Sequence, residues 1–191
     1  MKKPLALLVT LFLSQLLFSQ ELVRDYKTTS SAGKFIETKG LILKIEHYKN
    51  YVITGVNFGL ETIIYPGIIT DVRSGEKRAY VKVRSSYKEM LYESVIDFDE
   101  IPACIEALEY IIEIETNNKP SNYTDVFFKT KDELEIGART LVFGQEFSWK
   151  TSIAHMKYVR TPSFEISIKK LPKVVEALKE SMALLEEKMS S

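Results

Sequence analysis

Cysteine is all but missing from this chain. Cys104 is the one thiol among 191 residues, so no intrachain disulfide can form and no cysteine-built metal cluster is possible. Its place on an apolar stripe predicts a buried core thiol rather than a nucleophile. Histidine is scarce too: neither His47 nor His155 has a second His or a Cys at ligand spacing, and no His-Glu-x-x-His occurs. A zinc site would need the fold to bring both histidines and a carboxylate together. His47 instead continues the register of Leu43 and Ile45, which predicts a strand-end histidine with a local hydrogen bond. The Gly-x-Ser-x-Gly motif of serine hydrolases is absent, and no cofactor is implied by any motif. Excess charge is missing as well: 26 basic residues face 26 acidic ones, so net charge alone recruits no polyanion. After Phe18 no long uncharged apolar run recurs, which predicts no transmembrane anchor in the mature chain.

The segment before that point carries a clear signal. Met1, Lys2 and Lys3 precede an apolar stretch from Pro4 to Phe18, a basic n-region and an h-region too short to span a bilayer comfortably. Residues 1–20 are therefore expected to be a cleaved signal peptide, cut after Ser19 or Gln20, although Leu17 is larger than the residue usual three places before a cut. No cysteine sits at the junction to carry a lipid. The expected location is periplasmic or secreted. Cleavage removes Lys2 and Lys3 and leaves a small acidic excess.

Residues 21–34 are polar, with Thr28, Thr29, Ser30, Ser31, Ala32 and Gly33 in a row, and read as a flexible lead-in. Residues 35–118 form a first unit. Strands are expected from the alternation of Leu41, Leu43 and Ile45, at 62–65 and 68–72, and at 79–83 after the turn composition of Arg73, Ser74, Gly75 and Glu76. A strand at 94–98 runs into a helix whose stripe is Ile101, Cys104, Ile105, Leu108, Ile111 and Ile112, with Asp99 as its expected N-cap. Residues 119–191 form a second unit, with strands around Val126 and Phe128, 134–138, 147–153 and 164–168, then a helix from Leu171 to Met189.

The two helix entries match at a constant offset of 70 residues. Ile101, Pro102, Ile105, Glu106, Ala107 and Leu108 correspond to Leu171, Pro172, Val175, Glu176, Ala177 and Leu178, and Ile96 and Phe98 to Ile166 and Ile168. Lys169 stands where Asp99 does, so the second helix needs a different cap. The expected fold is α+β: two antiparallel β-sheet units, each covered by its C-terminal helix, as an internal duplication. At the junctions 96–112 and 166–182 this order resembles the repeats of PUR-type and Whirly-type proteins. The resemblance implies their strand-then-helix architecture. Their nucleic-acid role is not implied, because the Lys-Gly-Lys-Ala motif of the Whirly kind is absent and the charge is neutral. The first junction is also similar to small secreted bacterial proteins, a similarity that implies no activity.

Two groups of residues are the candidates for function. Arg78, Tyr80, Lys82 and Arg84 alternate with Ala79, Val81 and Val83, which predicts a basic ladder on the solvent face of one strand, a surface for an acidic polysaccharide, a lipid headgroup or extracellular nucleic acid; the expected partner is an envelope polymer or a protein. The competing reading is a solvated face whose cations pair with carboxylates on the next strand. Asp97, Asp99 and Glu100 crowd a strand-to-helix turn and are the candidate metal ligands, although they lack the spacing of a calcium loop. The expected function is a non-enzymatic binding or envelope-associated module. The alternatives are a small secreted hydrolase using carboxylates, or sheet-mediated binding of nucleic acid or another polyanion.

Overall fold

The computed structural model describes residues 28–56, 60–87, 90–117, 119–143, 146–158 and 163–191, so the expected signal peptide at 1–20 lies outside the described residues. Five strands form the first sheet: β1 (Leu43–His47), β2 (Tyr51–Thr54), β3 (Leu60–Asp71), β4 (Lys77–Tyr87) and β5 (Met90–Asp97). Four form the second: β6 (Asp125–Lys129), β7 (Leu134–Phe143), β8 (Glu146–His155) and β9 (Ser163–Ile166). All pairings are antiparallel, in the orders β1-β3-β4-β5 and β6-β7-β8-β9, with β2 also paired to β3. Among the described residues the helices are α1 (Ser31–Glu37), α2 (Ile101–Asn117) and α3 (Leu171–Ser190). Single 3-10 turns at Phe98–Glu100 and Ile168–Lys170 lead into α2 and α3. The molecule is thus α+β, with helices packed on two antiparallel sheets.

Where two strands were expected at 62–65 and 68–72, β3 runs unbroken through Pro66 and Gly67. Proline has no N–H to give to a ladder. Here its side of β3 faces the break between β1, which pairs with residues 67–71, and β2, which pairs with 61–64. The Pro66 carbonyl accepts from Tyr48 N–H at 3.0 Å, so the one group it does present at that break is satisfied.

Alternation along the strands sends one face of each sheet into a common core. Ile64, Ile68, Val81, Val83 and Ile96 of the first sheet share one cluster with Leu134, Ile136, Ile153 and Ile166 of the second, and with Cys104, Leu108, Leu171 and Leu178 of the helices. The coverage is exchanged: α2 packs on β6 and β7, whereas α3 packs on β2, β3 and β4. The chain leaves the first sheet at β5, the edge strand that touches β7 and β8, so the helix that follows already lies against the second sheet. Each fully buried Leu or Ile in this cluster contributes about 1.5–3 kcal/mol, and neither sheet could bury its apolar face with its own helix alone in this arrangement.

The 70-residue correspondence extends into strand register. Val81↔Ile96 and Val83↔Ser94 in β4–β5 match Thr151↔Ile166 and Ile153↔Phe164 in β8–β9. Two pairs of residues exactly one offset apart touch each other, Ser85 with His155 at 3.0 Å and Glu109 with Lys179 at 2.7 Å.

Residues 28–37, the end of the expected flexible lead-in and the start of the first unit, are folded. Ser30 caps α1, accepting from Gly33 N–H at 3.0 Å, and Ala32 is buried with Ile69, Tyr80 and Val95 on the outer face of the first sheet. Polar composition concealed this because the segment is held by hydrogen bonds to Asp97 more than by apolar area.

Candidate functional site

The outer face of the first sheet is built by the odd positions of β1 and β3 and the even positions of β4: Ile45, His47, Tyr65, Gly67, Arg78, Tyr80, Lys82 and Arg84. The predicted ladder of Arg78, Tyr80, Lys82 and Arg84 does share this face, but α1 divides it. Tyr80 is fully buried beneath α1 rather than exposed, a correction that follows from the folded lead-in. Arg78 lies beside α1, its guanidinium over the Phe35 ring at 5.6 Å and paired with Glu76. Only Lys82 and Arg84 open onto the free part of the face.

There they line a depression of about 270 Å³ together with His47, Tyr48, Asn50 and Tyr65. The break between β1 and β2 supplies Tyr48 and Asn50, so the same feature that accommodates Pro66 shapes the rim. Gly67 matters for the floor: a Cβ there would stand 2.9 Å from the Tyr80 phenol oxygen and 3.0 Å from the Glu46 carbonyl. Its absence lets the Tyr80 ring cross β3 and place its hydroxyl 2.9 Å from His47 Nε2. With the phenol donating to Nε2, the neutral imidazole carries its proton on Nδ1.

Arg84 is held in place on three sides. Nε and Nη2 donate to Glu93 Oε1 at 2.6 and 2.5 Å, Nη1 donates to the Tyr65 hydroxyl at 3.3 Å, and the guanidinium sits 5.2 Å from the Tyr65 ring centre. Lys82 has one partner among the described residues, Glu93 at 3.5 Å, although its side chain is only 19% exposed. The expectation that these cations pair with a carboxylate on the next strand is met, by one carboxylate shared between two cations. Burial works to raise the Glu93 pKa, but the bonds from Arg84 and the charge of Lys82 outweigh it and hold the group below its ordinary value. Burial lowers the His47 pKa, and the Lys82 and Arg84 charges lower it further against a smaller opposing pull from Glu93. Burial pushes the Tyr80 phenol up to about 12, so it remains a donor.

Glu93 is fixed because the free edge of β5 is closed residue by residue. Glu93 N–H donates to the Tyr158 hydroxyl at 3.1 Å, Val95 N–H to Asp132 Oδ2 at 2.9 Å and Asp97 N–H to Glu100 Oε2 at 3.1 Å. Side chains thus take the place of a missing strand neighbour.

The carboxylates named as metal candidates carry structural bonds instead. Asp97 is 1% exposed and accepts from Ser30 Oγ at 2.7 Å, Ser31 N–H at 2.6 Å and Ala32 N–H at 3.1 Å. It stands at the N-cap position of the 3-10 turn, where Asp99 had been expected to cap α2. Asp99 pairs with Lys131 at 2.7 Å, and Glu100 accepts the Lys131 N–H at 2.8 Å. Among the described residues no group of three His, Cys, Asp or Glu side chains is arranged to hold a metal ion.

His155 lies elsewhere, buried between the sheets with Nδ1 at 3.0 Å from Ser94 Oγ and Nε2 at 3.0 Å from Ser85 Oγ. Burial, helped by Lys157, drives its pKa down to about 3. His47 sits on the opposite face of the first sheet, so the two histidines do not converge. Cys104 is fully buried and its thiol is pushed up to about 12, chiefly by burial. Sequence reasoning found Lys82 and Arg84 but not His47, Asn50 or Glu93 as their companions. The alternation of β5 could have signalled Glu93, opposite Arg84 in an antiparallel pair. No family, no curated protein and no solved structure matches the chain. The resemblance to PUR and Whirly repeats therefore assigns no residue a role.

Proposed function

We propose that the mature chain is an exported, non-enzymatic binding module, periplasmic or secreted and associated with the envelope, whose ligand sits in the depression between His47, Tyr65, Lys82 and Arg84. The observation that carries this reading is the depression itself: convergent polar groups on a sheet face left open, with Arg84 immobilised before any ligand arrives. Binding is favoured over hydrolysis because Asp97, Asp99 and Glu100 are committed to holding α1 and the β6–β7 turn. A long polyanion is disfavoured because α1 interrupts the ladder between Arg78 and Lys82. The shared register and the two contacts at the 70-residue offset support a further part of the proposal, that the two units arose by duplication.

Two measurements test the reading. N-terminal sequencing of the chain recovered outside the cytoplasm should begin at Gln20 or Glu21, and recovery of uncut chain from the cytoplasm alone would refute export. Screening the mature protein against envelope glycans, lipids and proteins should yield a ligand lost in the Lys82→Ala, Arg84→Ala double variant. A ligand retained by that variant would move the site, and no reproducible ligand across these components would refute the module.

A further inference from the structure

The two charged groups that line this depression, Lys82 and Arg84, are donors only, beside Tyr48, Asn50 and Tyr65, whose oxygens donate or accept. Lys82 Nζ makes one ion pair, at 3.5 Å, and keeps two of its three N–H bonds unspent among the described residues. Arg84 spends three of its five N–H bonds on Glu93 and Tyr65. His47, with Nε2 receiving the Tyr80 proton, presents Nδ1–H as its remaining polar atom. Two cations face one carboxylate with a neutral imidazole beside them, so the depression holds a surplus of positive charge. A cation as buried as Lys82 with a single long ion pair is under-compensated, and such a group is stabilised by a second anion.

The molecule contains its own control for what the fold requires. Seventy residues on from Lys82, Arg84 and Glu93 stand Ser152, Ala154 and Ser163, paired as Gly137↔Ser152, Glu135↔Ala154 and Ala154↔Ser163, with β7 shifted by two residues against β8 relative to β3 against β4. Strands β7, β8 and β9 therefore pair without either cation. At that place the Phe127 side chain closes over Gly137 and a space of only about 10 Å³ remains. Packing does not explain why Lys82 and Arg84 stand where Ser152 and Ala154 do.

We propose that this depression binds the oxyanion of a small acidic ligand, a carboxylate or a phosphate, received by Lys82 Nζ and the His47 Nδ1–H against an Arg84 already fixed by Glu93. The inference rests on the depression being the binding site, and it adds the chemical class. An acceptor-only group matches donors that a neutral hydroxyl would leave half satisfied. Glu93 is then a competitor as well as a brace, because the ligand shares its cations.

Calorimetric titration of the mature protein at constant ionic strength with glucuronate, inorganic phosphate and glucose tests this. Saturable binding is expected for at least one of the two anions and for glucose none, and the tighter anion identifies carboxylate or phosphate as the source. Lys82→Gln should weaken that binding at least tenfold, Lys82→Arg should restore most of it, and Glu93→Gln should strengthen it several-fold. Ser152→Lys, which adds a like charge at the equivalent place, should leave it unchanged. Glucose binding as tightly as either anion, no saturable binding of either anion, or anion affinity indifferent to Lys82→Gln in a protein with unaltered circular dichroism would each overturn the proposal. An envelope ligand captured in the screen but displaced by neither anion would overturn it while leaving the binding-module reading intact.

Discussion

Replacing Asp97 by Ala is the sharpest test of how the outer face is assembled. The side chain is a buried carboxylate with three donors aimed at it, one hydroxyl and two backbone N–H groups, all from the start of α1. Hydrogen bonds to a charged acceptor contribute about 1.5–3 kcal/mol each, so their sum would exceed the docking energy of the segment. The cost has a ceiling, because residues 28–37 can leave the sheet and recover water once the carboxylate is gone. What is then lost is the docking of Ala32 and Phe35 on Ile69, Tyr80 and Val95 together with the cap at Ser30. We expect a loss of about 2–4 kcal/mol in urea unfolding. Hydrogen-exchange protection should fall across residues 28–37 while β7 and β8 keep theirs. Asp97→Asn, which keeps one acceptor oxygen, should fall between wild type and Asp97→Ala. Calcium should not raise the wild-type melting temperature, since these oxygens already have partners. A change below about 0.5 kcal/mol with undisturbed protection of α1 would refute the argument. So would calcium stabilisation of the wild type that Asp97→Ala abolishes.

Gly67→Ala should disturb the His47 side of the depression without touching a cation, because the added Cβ meets the Tyr80 phenol. The expected readout is weaker ligand or anion binding with a stability loss of about 1–3 kcal/mol, and unchanged binding would count against the role of the Tyr80–His47 bond. The His155 pKa is depressed to about 3 from 6.5, so the unfolded chain takes up a proton between those values that the native chain refuses. The stability it contributes is therefore complete above pH 6.5 and is lost as pH falls towards 3, with a slope of up to about 1.4 kcal/mol per unit. His155→Gln should flatten that slope in urea titrations at pH 4–6.5, even if the variant is less stable overall. Leu108→Ala and Leu178→Ala should each cost about 3 kcal/mol and each lower a single calorimetric transition. Two separable transitions would refute the shared core. Because the covering helices are exchanged, the isolated segments 28–118 and 119–191 should gain structure only when mixed.

Much of the fold was legible because it depends on periodicity. The stripe of Ile101, Cys104, Leu108 and Ile111, the alternation in β4 and the matched helix entries all follow from side-chain spacing, and the structure buries the residues that spacing indicates. The exchange of the helices was not legible. A stripe states that a helix must be covered but not by which sheet, and the deciding fact is the spatial neighbourhood of β5 with β7 and β8. α1 was hidden for a different reason: its anchor is a carboxylate 66 residues away from Ser31, and no local pattern in a Thr- and Ser-rich segment announces such a partner.

That one hidden contact also explains why the candidate surface was only half read. Alternation correctly put Arg78, Tyr80, Lys82 and Arg84 on one face, but alternation assigns a face and not its exposure. Once α1 covers Tyr80, the phenol is available to orient His47, and the open part of the face shrinks from a strand-long ladder to the space around Lys82 and Arg84. The same Asp97 that fixes α1 lies on β5 two positions beyond Val95, and the edge that its bonds and those of Asp132 and Tyr158 close is the edge that presents Glu93. The order of dependence therefore runs from Asp97 to α1, from α1 to Tyr80, and from Tyr80 to His47, with Glu93 setting Arg84 from the other side. Changes at Asp97 should consequently reach the His47 side of the depression and spare the Arg84–Glu93 pair, so the two sides can be perturbed separately.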